Sequence, residues 1–392
     1  MRKFILKHRE LVFLCFSSIF LLGAVYRAPY SLSDHYISDK NNYDLLARAS
    51  TTISKVTKPV PSYIETPDKV RGVYMTSWIA SSKKTRDSLV ELINDTELNT
   101  IVIDIKDYSG KVFFDVEDPE IISTGSVDVR ISDLSDFVEE LHKKNIYVIA
   151  RLAVFQDSYF VKKKPDLAVK NKAGTQVWKD RKGISWIDPG SEEYWGYIVK
   201  ISKEARRVGF DEVNFDYIRF PSDGNMSDIS YPLSSTTPKV VVLENFFKYI
   251  HENLKDSGLK TSADLFGLVT NSNDDMGIGQ VLENALPYFD YISPMVYPSH
   301  YSEFFENINN PEANPYQTIY VSMSRAVQRI NLASSTPDKL RPWLQDFSLK
   351  VKYGPKEVKD QIQAVYDAGV DSWLLWSASN IYTRSALEKE SE

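Results

Sequence analysis

From residue 70 onward the chain alternates short apolar runs with longer stretches that are apolar along one face only. The short runs, rich in Val, Ile, Phe and Tyr, read as buried strands, and the amphipathic stretches between them read as helices. Strands are predicted at 70–76, 100–105, 146–154, 212–216, 260–265, 291–295, 340–344 and 372–376. Helices are predicted near 85–95, 134–144, 191–208, 239–256, 278–286, 315–330 and 355–368, with a last helical stretch beginning near 382. Ser191 stands where the helix at 191–208 needs an N-cap. Eight strands, each followed by a helix over about 315 residues, match the count and size of an α/β fold of the (β/α)8 type, a TIM barrel. An open, doubly wound sheet would want a glycine-rich phosphate loop after its first strand. Residues 76–82 contain no glycine, which argues against a nucleotide fold.

The residues before 70 have a different texture. Residues 28–69 are rich in Ser, Thr, Asp, Asn and Lys, with little to bury, and read as a flexible linker. Residues 1–27 read as a targeting element: Arg2, Lys3, Lys7 and Arg9 precede an apolar run over 11–26, which Arg27 closes. The run is within reach of a membrane span. Small residues at the spacing of a cleavage site are hard to find near Gly23, so an uncleaved signal anchor is the favoured reading and a removed signal peptide the other. Basic residues on its amino-terminal side put that end in the cytoplasm and the barrel outside, at the bacterial cell surface or in the periplasm. The lone cysteine, Cys15, lies inside the apolar run, so the exported part is built without disulfides.

Composition adds little beyond exclusions. A net charge of −6 with no basic stripe gives no sign of nucleic-acid binding. Seven Trp and 23 Tyr suit a surface that stacks on sugar rings, although many must be core. No Gly-x-Ser-x-Gly elbow and no His or Cys cluster of zinc spacing is present, and no cofactor motif is seen. Residues 271–275 are acidic enough for a calcium loop but read better as a polar turn.

The chemistry should lie at the carboxyl ends of the strands. The most informative stretch is Phe210-Asp-Glu-Val-Asn-Phe-Asp-Tyr-Ile-Arg-Phe-Pro221, an apolar strand ending in Asp216, Tyr217 and Arg219. Asp216 is the first choice for nucleophile or base, with Arg219 placed to hold its charge. Asp264, which ends the next strand, is the choice for partner acid. Asp104, Lys106, Arg151, Asn214, Arg219, Tyr297 and Trp376 are assigned to substrate binding. Side chains alternate along a strand, so Asp104 and Lys106 should share a face, as should Asn214 and Asp216. A structural Asp104–Lys106 ion pair is the competing reading of those two residues. Carboxylates among Arg, Lys and Trp suit glycoside hydrolysis, in which one acid protonates the leaving oxygen while one carboxylate attacks or activates water.

Five ordered motifs carry a resemblance. They are residues 70–76, 102–107, 214–221, 292–299 (Ile292-Ser-Pro-Met-Val-Tyr-Pro-Ser299) and 373–380 (Trp373-Leu-Leu-Trp-Ser-Ala-Ser-Asn380). Together they resemble the bacterial "putative glycosyl hydrolase domain" family, over nearly all of 70–384. That resemblance implies a glycosidase-like barrel. Chitinase-type barrels carry Asp-x-x-Asp-x-Asp-x-Glu on the fourth strand, a Met-x-Tyr on the sixth and a Trp on the eighth. Asp211, Asn214, Asp216, Met295, Tyr297 and Trp376 fall in that register, but Ile218 stands where the acid Glu would be. By analogy with α-amylase-type barrels, which place their acids after the fourth and fifth strands, Asp216 and Asp264 are the preferred pair. The expected function is hydrolysis of a cell-wall or extracellular polysaccharide or oligosaccharide. The alternative is a carbohydrate-binding barrel at the cell surface without turnover.

Overall fold

The computed structural model describes residues 61–389. Eight parallel strands close into a barrel in chain order, with β1 hydrogen-bonded to both β2 and β8. The strands are β1 (Arg71–Met75), β2 (Thr100–Lys106), β3 (Tyr147–Ala153), β4 (Glu212–Asp216), β5 (Lys260–Phe266), β6 (Tyr291–Met295), β7 (Trp343–Gln345) and β8 (Trp373–Trp376). The helices packed around them are α1 (Lys83–Asn94), α2 (Leu134–His142), α3 (Glu192–Arg207), α4 (Lys239–Leu254), α5 (Leu282–Ala285), α6 (Pro315–Leu332) and α7 (Pro355–Asp367). The alternation predicted from the apolar pattern is therefore the fold. Ser191 does cap α3, its hydroxyl accepting from the Tyr194 N–H.

Three elements are shorter than their pattern implies, each for a local reason. The helix predicted at 278–286 is reduced to α5, because Gly277 and Gly279 take positive φ just before it and turn the chain. The strand predicted at 340–344 begins only at Trp343. Pro342 has no N–H to give the ladder, so Leu340 makes an isolated bridge to Ile292 instead. The last helical stretch is a single 3₁₀ turn, Arg384–Ala386.

Residues 61–69 form no strand or helix, yet they are attached to the amino-terminal end of the barrel. Ser62 Oγ meets His142 Nδ1 at 3.1 Å, the Ile64 N–H donates to Asp211 Oδ1 at 3.0 Å, and Thr66 Oγ1 donates to the Tyr147 hydroxyl at 3.1 Å. Residues 1–27 and most of the linker, with the membrane anchor assigned to them, lie outside the described residues. Among the described residues no helix is long and apolar enough to cross a membrane.

Candidate active site

Adjacent strands bring the polar residues of the inner face into one layer. Asp104 pairs in register with Arg151, Arg151 with Asn214, and Asn214 with Ser262, while Asp264 follows two residues along β5. Arg151 is the hub. Its Nη1 donates to Asp104 Oδ1 at 2.6 Å, its Nη2 forms an ion pair with Asp216, and its Nε lies 3.9 Å from Asp264 Oδ2. Burial alone would weaken the guanidinium's hold on its proton, but the charges of Asp104 and Asp216 outweigh it and keep Arg151 firmly protonated.

Each carboxyl has a different environment. Asp104 is shared between Arg151 and the Tyr74 hydroxyl, and it lies beneath the cleft rather than on its wall. Asp264 Oδ1 accepts from Asn214 Nδ2 at 2.8 Å and from Trp343 Nε1 at 2.7 Å. Burial, with the negative charge of Asp216 added, raises the Asp264 pKa well above the ordinary carboxylate range. Burial likewise raises that of Asp104, against the opposing pull of Arg151. Asp216 Oδ1 accepts from the N–H of Tyr217 at 2.5 Å. Tyr217 takes φ 54°, a left-handed conformation costly for a bulky residue, as β4 turns into its loop. A strained residue next to the carboxylate is common where a site over-determines its backbone.

Above this layer opens a cavity of about 530 Å³. Arg151, Asp216 and Asp264 form its floor, and Tyr217, Phe266, Tyr297, His300, Tyr301 and Trp376 supply aromatic wall. Trp376 stacks on Tyr74 with ring centres 3.9 Å apart, so its orientation is fixed. Gly267 lets the chain pass closely after β5: a Cβ there would sit 2.5 Å from the Met295 carbonyl oxygen.

Of the residues singled out from sequence, Asp216, Asp264, Arg151, Arg219, Tyr297 and Trp376 line this cavity, with Asp104 and Asn214 directly beneath. Two expectations are corrected. Lys106 is not in the cleft. The register of β2 against β3 shifts between Asp104 and Lys106, which breaks the alternation and turns Lys106 outward. There it is fully buried, 3.0 Å from Asp157 and bonded to the Ala153 carbonyl, so it does not pair with Asp104. Arg219 does not hold the charge of Asp216 either; Arg151 does. Arg219 Nη1 donates instead to the Phe220 carbonyl at 3.0 Å and to Ser222 Oγ at 3.1 Å.

Tyr74 and Trp343 were missed. Alternation along β1 puts Tyr74 on one face with Gly72, a weak sign of a pointed-in hydroxyl. Trp343 begins its strand and reads as core, although a buried indole N–H always wants a partner. Lys182 reaches the cavity from the long loop after β3, which no strand-end argument could place.

Comparison with known proteins agrees with this architecture. The family model described as "Putative glycosyl hydrolase domain" matches residues 72–382. No curated protein matches the chain. Among solved structures, the chain resembles the PgaB (BpsB) glycoside hydrolase domain of Bordetella bronchiseptica, with TM-score 0.57 and 14% identity, over 82% of this chain and 100% of that one. It also resembles the C-terminal domain of a putative chitinase from Desulfitobacterium hafniense DCB-2, with TM-score 0.51 and 10% identity, over 81% and 96%. A hypothetical protein from Ruminiclostridium thermocellum ATCC 27405 is 33% identical over 53% of this chain and 98% of its own, with TM-score 0.45. The two lower identities speak to the fold alone. The family match spans the whole barrel, and the chain belongs to the putative glycosyl hydrolase domain family.

Proposed function

We propose that the barrel hydrolyses glycosidic bonds of a cell-wall or extracellular polysaccharide, held outside the membrane by its amino-terminal segment. One observation carries the reading. Two carboxyls share one guanidinium at the floor of an aromatic-walled cavity, and their surroundings differ. Asp264 is pushed toward its protonated form by burial and by Asp216, while Asp216 is ion-paired. A glycosidase needs one carboxyl that keeps its proton and a second that serves as nucleophile or base.

In this scheme Asp264 gives its proton to the glycosidic oxygen as the C–O bond breaks. Asp216 attacks the anomeric carbon or takes the proton of the attacking water, and water is added across the bond overall. Asn214 and Trp343 fix the Asp264 carboxyl through Oδ1, which leaves Oδ2 to carry the proton. Asp104 and Tyr74 act through Arg151, as positioning residues. Trp376 and Tyr297 offer faces for sugar rings.

The test is a panel of bacterial wall and extracellular glycans assayed for released reducing ends, beside binding to the same glycans. Cleavage by the wild-type protein, lost in Asp216→Asn and Asp264→Asn with binding retained, is the expected result. Binding without cleavage, unaltered by Asp216→Asn, would establish a carbohydrate-binding barrel instead.

A further inference from the structure

Five arginines are buried among the described residues, and four of them face a carboxylate: Arg86 with Asp133, Arg151 with Asp104 and Asp216, Arg329 with Glu283, and Arg341 with Glu212. Arg219 is 7% exposed and has no carboxylate within ion-pair distance among the described residues. Its guanidinium lies over the rings of Phe266 at 4.5 Å, Trp186 at 4.9 Å and Tyr217 at 5.8 Å. Only Nη1 is bonded, to one carbonyl and one hydroxyl, and the side chain lines the cavity. The cost of burial lowers the Arg219 pKa and outweighs the carboxylates of Asp216, Asp223 and Asp180, which act on it only from beyond ion-pair distance. Ring faces offset only part of that cost. Lys182, an exposed lysine with no ion pair among the described residues, lines the same cavity. The carboxyls on the floor do not cancel these charges, because Asp216 is already paired with Arg151 and Asp264 tends to its neutral form.

We infer that Arg219, with Lys182, forms a subsite for an anionic substituent, and that the polymer this cleft takes carries carboxylated sugars such as uronic acids. With Nη1 taken by Phe220 and Ser222, Nε and Nη2 have no hydrogen-bond partner among the described residues, and two parallel N–H donors on one guanidinium edge match a carboxylate in two bonds. The neighbouring rings then take the apolar face of the same sugar. This subsite rests on the proposed carbohydrate cleft. It concerns which polymer is chosen, and not whether the bond is cut.

The test is binding of the full chain, followed by calorimetry, to oligosaccharides of polygalacturonate and of hyaluronan, each beside its methyl-esterified form. A sulfated oligosaccharide forms a third arm. Wild-type protein should favour at least one carboxylated form by about tenfold over its ester, since charge-assisted hydrogen bonds are worth that much or more. The preference should weaken with salt. Arg219→Gln should bring acid and ester to parity by lowering the acid's affinity far more than the ester's, and Arg219→Lys should keep part of the preference. Equal affinity of wild type for acid and ester on both backbones overturns the inference, whether or not the Gln variant folds. So does an Arg219→Gln variant that loses acid and ester alike, the mark of a merely structural arginine. Tighter binding of the sulfated oligosaccharide overturns the carboxylate assignment. Acid preference without cleavage leaves this subsite standing and removes the hydrolase reading. Cleavage of neutral glycans without acid preference does the reverse.

Discussion

The two ends of the barrel use the same parts to opposite effect. At the amino-terminal end Arg341 Nη1 meets Glu212 Oε2 at 2.8 Å, and the Tyr147 hydroxyl donates to the same oxygen at 3.0 Å. One cation faces one anion, and Thr66 from the segment at 61–69 bonds Tyr147 from outside. At the carboxyl-terminal end Arg151 and Tyr74 repeat the theme, but three carboxyls surround one guanidinium and a cavity opens above them. A balanced pair beneath a covering segment can only hold the structure together. An excess of carboxyls in a buried layer that opens on one side favours the protonated form of one of them, Asp264, and a proton held at a cleft can be given away.

The largest expected effect separates the two ends by activity. Asp216→Asn should lower turnover about 10²–10⁴-fold, the usual contribution of a positioned acid–base or nucleophilic group. Its melting temperature should stay close to wild type, because Arg151 keeps Asp104 as a partner. Steady-state kinetics beside thermal melting checks both parts.

The converse variant is Glu212→Gln. It strands the Arg341 charge, both groups being almost fully buried. Breaking such a pair should cost about 3–5 kcal/mol of stability, read from denaturant unfolding. Turnover well below the melting temperature should hardly change. Were Glu212→Gln to abolish turnover in a folded protein, the contrast between the ends would fail.

Much of this contrast could be read from the chain, and the limits are instructive. The barrel was legible because each strand is a short apolar run, and strand ends share a rim whatever the loops do. Asp216, Asp264, Arg151, Tyr297 and Trp376 meet for that reason. Lys106 fails because a register shift between it and Asp104 is a property of two strands together, invisible in either alone. Nearness in sequence alone pairs Arg219 with Asp216. Arg151, on the next strand, lies closer in space, and sheet neighbours compete with sequence neighbours for every charge. Tyr74 and Trp343 looked like core, and only their hydroxyl and indole N–H partners give them a role.

A subtler signature is pH dependence. The folded pKa of Asp264 is raised, so the folded protein keeps a proton that the unfolded chain releases above about pH 4. Stability should therefore fall as pH rises from about 4 toward the folded pKa of Asp264, the reverse of an ion-paired aspartate. Asp264→Asn should flatten that slope in a pH series of unfolding curves. An unchanged slope would mean that Asp264 is ionised in the fold.

The smallest effect concerns the covering segment. Thr66→Ala removes the bond to Tyr147 and should cost about 0.5–1.5 kcal/mol, with catalysis unaffected.

The central claim is that Asp264 donates a proton at the cleft, and a structure of Asp216→Asn holding an uncleaved oligosaccharide tests it most directly. Sugar rings are expected against Trp376 and Tyr297, with a glycosidic oxygen about 2.6–3.2 Å from Asp264 Oδ2. An oligosaccharide bound elsewhere, or one crossing the cavity with every glycosidic oxygen beyond the reach of Asp264, would contradict it.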